Sequence, residues 1–167
     1  MRIGRIFFLI VLLLCAFEMA RLWNIMPDQM AAHFNIQGNA DRFVPKAEFF
    51  RFQLQTMLVV ILVSLPLQWM FSVIPPNLIN MPNREYWLAP ERRAETMGRI
   101  SDFGSTMFAI ILLALQAACD IAAYANLRTP ILFNAALMSK VMIVSVVAIV
   151  LALIGLIVSF RLPTSVN

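Results

Sequence analysis

The chain has 167 residues, of which 61% are hydrophobic and only 13% are charged, with a formal net charge of +4. A soluble domain is about half apolar and a quarter charged, so this composition excludes an ordinary soluble protein. The basic residues are scattered and several flank apolar segments, so the charge does not indicate binding to nucleic acid.

Four apolar segments are long enough to cross a bilayer, which takes about 20 residues of helix each. The stretches between them are too short for a soluble domain of ordinary size. We therefore predict one four-helix transmembrane domain over residues 1–167, an all-α integral membrane protein with its helices in a bundle. The predicted spans are residues 6–24, 52–74, 103–124 and 137–160. Residues 1–51 hold the first helix and loop, 52–102 the second helix and an amphipathic loop, and 103–167 the third and fourth helices.

The first apolar segment follows two arginines, as a signal peptide would. However, no small-x-small cleavage site follows it, and Leu14 precedes Cys15 where a lipoprotein signal needs a small residue. We therefore expect a retained membrane anchor. Cys15 and Cys119 both lie inside apolar segments, which argues against a disulfide framework and against a metal-type pair.

Basic residues favour one orientation by a small margin. With the N-terminus inside, seven basic residues face the cytoplasm and six face the other side. Arg2 and Arg5 weigh most because they flank the first helix. We expect both termini in the cytoplasm and the first loop outside.

The first loop, MPDQMAAHFNIQGNADRFVPK, covers residues 26–46 and contains the only histidine of the chain. Asn35 to Gly38 suits a tight turn, because glycine accepts positive φ at little cost. The flanking residues can pair as a short hairpin, and Pro45 pre-sets φ for a helix that begins at Lys46. The loop is therefore expected to form a small extracytoplasmic cap on the membrane surface.

The role of His33 has several interpretations. A zinc site needs at least three ligands at recognisable spacing, and His33 with Asp41 and Glu18 falls short of that, so we predict no metal. The expected role of His33 is a hydrogen bond with Asp41 that fixes the hairpin. The alternatives are recognition of a ligand, pH sensing through an imidazole that changes charge near neutral pH, and metal binding or catalysis.

The pattern of this loop resembles LPxxIPxHFxxxGxxDxxxxK, the first-loop signature of a bacterial membrane domain of unknown function numbered 1648. This domain also forms the N-terminal part of SdpI-type immunity proteins. The resemblance covers the first helix and loop, extends to INMPNREYWLAPERR in the second loop, and hardly reaches the last two helices. Ala32 stands where the family often has proline, and Pro45 stands where a serine commonly precedes the lysine. The matching residues are Pro27, His33, Phe34, Gly38, Asp41 and Lys46.

Five of the polar residues inside the predicted spans form one group, and an unpaired charge at such a depth costs several kcal/mol. At about 1.5 Å per residue, Glu18 lies about 9 Å from the end of the first span and Asp120 about 6 Å from the end of the third. The first and third helices run in the same direction and the fourth starts where they end, so all five belong to the leaflet beneath the first loop. They are Glu18, Arg21, Gln116, Asp120 and Lys140.

This polar cluster also has two interpretations. In the structural one, Glu18 pairs with Arg21, and Asp120 pairs with Lys140 or Arg128, to hold the bundle together. In the functional one, a polar cavity under the cap binds a ligand or conducts protons.

The second loop is expected to start a helix at Pro90, with Glu95 and Arg99 paired four residues apart. Tyr86 and Trp87 are the kind of aromatic pair that lies at headgroup level. We expect an interfacial helix that leads into the third span, with a docking site for a cytoplasmic partner as the alternative.

No sequence motif supports an enzyme: there is no Ser–His–Asp pattern, HExxH or phosphate loop, and we expect no cofactor. A proton-coupled transporter needs an acid that exchanges protons freely, and Arg21 next to Glu18 argues against one. The resemblance implies a non-enzymatic protein of the bacterial cytoplasmic (inner) membrane, similar to SdpI-type immunity or sensor proteins. It would bind a peptide or small ligand through the polar cluster and His33, Phe34, Asn35, Gly38, Asp41 and Lys46 of the loop. The alternative is an accessory or structural subunit of a larger bacterial membrane complex, with a membrane-protein partner or a second copy of the chain.

Overall fold

The computed structural model describes residues 3–162, except for the side chains of residues 68, 71 and 72, so that Arg2 lies outside the described residues. Within this range, four helices are long and apolar enough to span a membrane, as predicted, and the protein is a multi-pass membrane protein. The elements in chain order are α1 (Ile3–Ile25), β1 (Gln29–Phe34), β2 (Ala40–Pro45), α2 (Lys46–Val73), a 3₁₀ turn (Pro76–Leu78), α3 (Arg84–Trp87), α4 (Pro90–Ala125) and α5 (Ala135–Ser159).

Helix α4 is longer than the predicted third span. It begins at Pro90, as expected, but runs without interruption for 36 residues, or about 54 Å at 1.5 Å per residue. This exceeds the roughly 30 Å of a hydrocarbon core. The Glu95 carboxylate lies 2.7 Å from the Arg99 guanidinium and supports the added turns. The segment expected to form an interfacial helix is therefore the N-terminal part of the spanning helix itself.

Helix α4 forms the centre of the bundle and packs against α1, α2 and α5. The backbone N–H of Gly4 donates to Asp102 at one end (2.9 Å), and the Tyr124 hydroxyl donates to Glu18 near the other (2.9 Å). Helices α1 and α4 are therefore parallel, as the span order predicts. Helix α5 is antiparallel and peripheral, and none of its 25 described residues is buried.

Close backbone approach explains the contact between α1 and α4. Lipid chains are as apolar as leucine, so helices in a membrane associate mainly through tight packing of small residues. Helix α4 presents buried Ser101, Ser105 and Ala109 at four-residue intervals. Opposite them, a Cβ on Gly4 would collide with the Asp102 carbonyl oxygen. The core that continues this contact consists of Phe8, Val11, Cys15, Met57, Val60, Ala109 and Leu112.

The first loop forms the predicted hairpin, since β1 and β2 pair antiparallel from Gln29↔Pro45 to Phe34↔Ala40. Its turn has Gly38 at φ 83°. The Asn35 side chain accepts hydrogen bonds from the backbone of Gln37 and Asn39, both at 3.0 Å. The tight turn predicted at Asn35 to Gly38 is therefore present. We call residues 26–46 the cap.

The second loop holds the far end of α5. The side chains of Asn83 and Trp87 both donate to the carbonyl oxygen of Phe160, at 2.9 and 2.8 Å, and Arg99 donates to that of Ser159 at 2.9 Å. The last carbonyls of a helix have no partner within it, so these donors complete its C-terminus. Trp87 is buried within the protein, with its ring 5.6 Å from that of Phe160. Its position at headgroup level stays a prediction.

Candidate functional site

Asn126, directly after α4, attaches the cap to the bundle. Its side-chain oxygen accepts from the backbone N–H of Ala31 at 2.6 Å, and its amide nitrogen donates to the Ala31 carbonyl at 3.2 Å. The same nitrogen donates to Ala122 one turn back (2.9 Å). The buried Asn126 side chain thus makes the two hydrogen bonds to Ala31 that a neighbouring strand would otherwise make with β1.

A second attachment joins the turn of the cap to the loop between α4 and α5. The backbone N–H of Phe133 donates to the Gly38 carbonyl at 2.8 Å, and the ring of Phe34 lies 5.1 Å from that of Phe133. A side chain at residue 38 would also crowd the Phe133 carbonyl. Gly38 is therefore suited both to the turn and to this close approach.

Lys46 connects the end of α1 to the start of α2. Its ammonium group lies 3.5 Å from the Asp28 carboxylate, 3.4 Å from the Met26 carbonyl and 5.3 Å from the centre of the Trp23 ring. Its backbone N–H donates to the backbone carbonyl of Asp28 at 2.8 Å. Lys46 is thus a structural residue of the cap.

His33 and Asp41 form the expected contact, with the imidazole Nδ1 2.5 Å from the Asp41 carboxylate. Both side chains are exposed, by 66% and 43%. They face solvent on the hairpin, and the structure does not bring them to the polar residues of the bundle. Whether they bind anything stays a prediction.

Glu18 and Arg21 form the first half of the intramembrane cluster. The guanidinium of Arg21 contacts both carboxylate oxygens of Glu18, at 2.7 and 2.5 Å. Tyr124 of α4 donates to Glu18 and contacts Arg21. This half therefore has its opposite charges paired and joins α1 to α4.

Asp120 belongs to the second half, a chain of hydrogen bonds from α2 into α4. Gln53 donates to Gln116 (3.0 Å), and Gln116 donates to Asp120 (2.8 Å). Asp120 therefore pairs with an amide and not with Lys140 or Arg128, the two cations that the sequence suggested. Gln53 is 2% exposed, and its own oxygen has no partner among the described residues.

The two halves lie at nearly one level, because Tyr124, which donates to Glu18, is four residues, or about 6 Å, from Asp120 along α4. Lys140 does not join them. It is exposed on α5, and no ion pair found within residues 3–162 includes it. The structure thus assembles four of the five predicted residues and leaves the fifth outside the cluster.

A cavity of about 520 Å³ opens beside Asp120, between α4 and α5 and below the loop that carries Phe133. Tyr124 lines it too, and so contacts Glu18 while bordering the cavity. The remaining polar residues of the lining are Arg128 and Asn134, and its apolar residues include Ile121, Leu132, Leu137 and Val141. This arrangement can hold a molecule with an apolar body and a polar end.

Two further cavities lie outside this site. A smaller cavity of about 380 Å³ lies under β2, where Arg42 and Glu48 are 3.8 Å apart. A larger cavity, of about 920 Å³, is at the opposite end beside Asn83 and Tyr86, and no member of the cluster lines it. Residues 3–162 hold no group of three His, Cys, Asp or Glu side chains that could bind a metal ion.

The sequence patterns did not identify the roles of three side chains, those of Gln53, Tyr124 and Asn126. Gln53 was visible as a polar residue at the start of the second predicted span, which is a signal that could have found it. Tyr124 and Asn126 look like ordinary residues at the end of a span. Only the packing of α4 against α1 and β1 shows their roles.

One family, described as Domain of unknown function (DUF1648), matches residues 9–63. This range covers most of α1, the whole cap and about the first two thirds of α2. No curated protein and no solved structure matches the chain.

The two departures from the loop signature have physical explanations in the fold. Ala32 has no partner in the strand register, which is irregular there, and bulges are among the few strand positions where proline occurs. Pro45 is the N-cap of α2 and makes no side-chain cap bond, whereas a serine there could supply one. The chain therefore carries a DUF1648 domain over residues 9–63, and the cap is the part of that domain that lies outside its two helices.

Proposed function

We propose that the chain is a non-enzymatic receptor of the bacterial inner membrane, which binds a small ligand or peptide in the cavity between α4 and α5. Asp120 of the polar cluster borders this site on one side, and the loop that contributes Leu132 and Asn134 borders it on another. The observation that carries the proposal is the position of Asp120, which borders the cavity while Gln116 fixes its carboxylate. A resemblance to SdpI-type immunity and sensor proteins agrees with this role.

The attachment of the cap supports this function over a purely structural one. Phe133 binds the turn of the cap and precedes α5, while Leu132, Asn134 and Leu137 line the cavity. A ligand that moves this loop would therefore move the cap. The contact offers a physical route from the membrane interior to the outer surface.

A proton-coupled transporter is less well supported. Glu18 is bound by Arg21 through two hydrogen bonds and by Tyr124 through a third. An acid held in this way is poorly placed to exchange protons during transport. Asp120 lacks such a cation, and so suits binding at a fixed site.

The test is native mass spectrometry of the protein extracted in a mild detergent. Ala117→Trp fills the cavity, since Ala117 lines it. Ala16→Trp places the same side chain on an exposed position of α1. We expect a bound molecule on the wild type and on Ala16→Trp, and its loss from Ala117→Trp at equal helical content.

A bound molecule that persists in Ala117→Trp would contradict binding in this cavity. A protein subunit in place of a small ligand, retained by both variants, would favour the accessory-subunit alternative. Helix α5 would be its natural contact, because its apolar side chains are unburied along the whole helix.

A further inference from the structure

We infer that the ligand of this cavity carries a positive charge on an apolar body, and that Asp120 is the residue that binds the charge. This inference rests on the proposed function and adds the chemical class of the ligand. It follows from the charges and the surfaces that a guest in the cavity would meet.

Asp120 carries a carboxylate that no cation in the described chain neutralises by contact. The five ion pairs within residues 3–162 engage other acids. Its hydrogen-bond donor is the neutral amide of Gln116. The nearby guanidinium of Arg21 is already bound to Glu18, so this pair adds little net charge at Asp120. A carboxylate at membrane depth is costly unless paired, and a cationic guest would supply the partner.

Arg128 is the other charged residue of the cavity, and it sits at the mouth. It follows α4, is exposed, and is absent from the five ion pairs. A long side chain near a helix end can direct its charge into water. It would therefore weaken the attraction for cations without replacing the guest at Asp120.

The walls select an apolar body. Ile121 and Ala117 come from α4, and Leu137 and Val141 from α5. Membrane-facing cavities of this kind favour apolar surface, while the single carboxylate fixes one end of the guest. A volume of about 520 Å³ suits an organic cation.

Tetraphenylphosphonium and tetraphenylborate test the inference, because the two ions have nearly the same size and shape and opposite charge. Binding of each would be measured by equilibrium dialysis of protein-containing nanodiscs, with empty nanodiscs subtracted. We expect the phosphonium to bind and the borate not to bind. Asp120→Asn should weaken phosphonium binding by about tenfold or more, as loss of a charge-assisted contact does.

Two further variants keep the result interpretable. Arg128→Gln should strengthen phosphonium binding a few-fold by removing a like charge. Glu91→Gln removes an exposed acid at the other end of α4 and should leave the affinity unchanged. A folded Arg128→Gln that binds more tightly supports the inference even if Asp120→Asn does not fold.

The failures are distinguishable. Borate binding that Ala117→Trp abolishes would overturn the cationic class and leave the proposed cavity in place. Phosphonium binding that both Asp120→Asn and Arg128→Gln leave unchanged would also overturn the inference. If Ala117→Trp changes the binding of neither ion and native mass spectrometry finds no ligand, the proposed function fails as well.

Discussion

Two carboxylates inside the bundle, those of Glu18 and Asp120, have different kinds of hydrogen-bond partner. Glu18 obtains a cation from its own helix and a hydroxyl from α4. Asp120 obtains an amide, Gln116, that a second amide, Gln53, holds in place. The first arrangement pairs opposite charges, whereas the second leaves a carboxylate without a cation beside a cavity.

The Glu18–Arg21 pair predicts a specific mutational pattern. Glu18→Gln and Arg21→Gln should each lower the melting temperature, because each leaves one charge without its partner. The double variant should lie closer to the wild type than either single variant. Thermal unfolding in detergent, followed by circular dichroism, measures all four proteins, and a double variant less stable than both singles would reject the pairing.

At this scale the sequence predicts polar residues better than it predicts their partners. The three-residue spacing of Glu18 and Arg21 is sufficient to predict their ion pair, because residues three apart are neighbours on one face of a helix. The partner of Asp120 could not be chosen from the sequence. Gln116, Lys140 and Arg128 were all within plausible reach, and only the packed helices decide among them.

Between elements, the cap depends on contacts that are distant in sequence. An isolated two-stranded hairpin is only marginally stable in water, and this one gains support from Asn126 and from Phe133. The hairpin itself was predictable, because the Asn35–Gly38 turn is local. Its attachment was not, since 95 residues separate Ala31 from Asn126.

Asn126→Ala tests this attachment. It leaves the buried N–H of Ala31 without its acceptor, which should cost about 1–3 kcal/mol and loosen the cap selectively. Hydrogen exchange read by mass spectrometry should show faster exchange in β1 and β2 but not in α1.

Asn24→Ala is the control for Asn126→Ala, because Asn24 is exposed and donates one bond within its own helix. Its cap should exchange at the wild-type rate. If the Asn126 variant did so too, the Asn126 side chain would have no role in holding the cap.

For the whole molecule, hydropathy was enough to find the four spans, because an apolar run of about 20 residues is a strong signal. It could not find the limits of α4, where polar turns continue the same helix to Pro90. Nor could it show that α4 is central and α5 peripheral. That order depends on Gly4, Ser101 and Ser105, whose small size permits close packing and leaves no mark on hydropathy.

Asp120, in the layer beneath the cap, borders an accessible cavity, whereas Glu18 at the same level does not. Labelling with an apolar carbodiimide, mapped by peptide mass spectrometry, tests it most directly, because this reagent enters the bilayer and adds to protonated carboxyl groups there. At mildly acidic pH we predict an adduct on Asp120, none on Glu18, and loss of the Asp120 adduct in Ala117→Trp but not in Ala16→Trp. An adduct on Glu18 without one on Asp120 would contradict this arrangement, as would labelling of Asp120 that filling the cavity leaves unchanged.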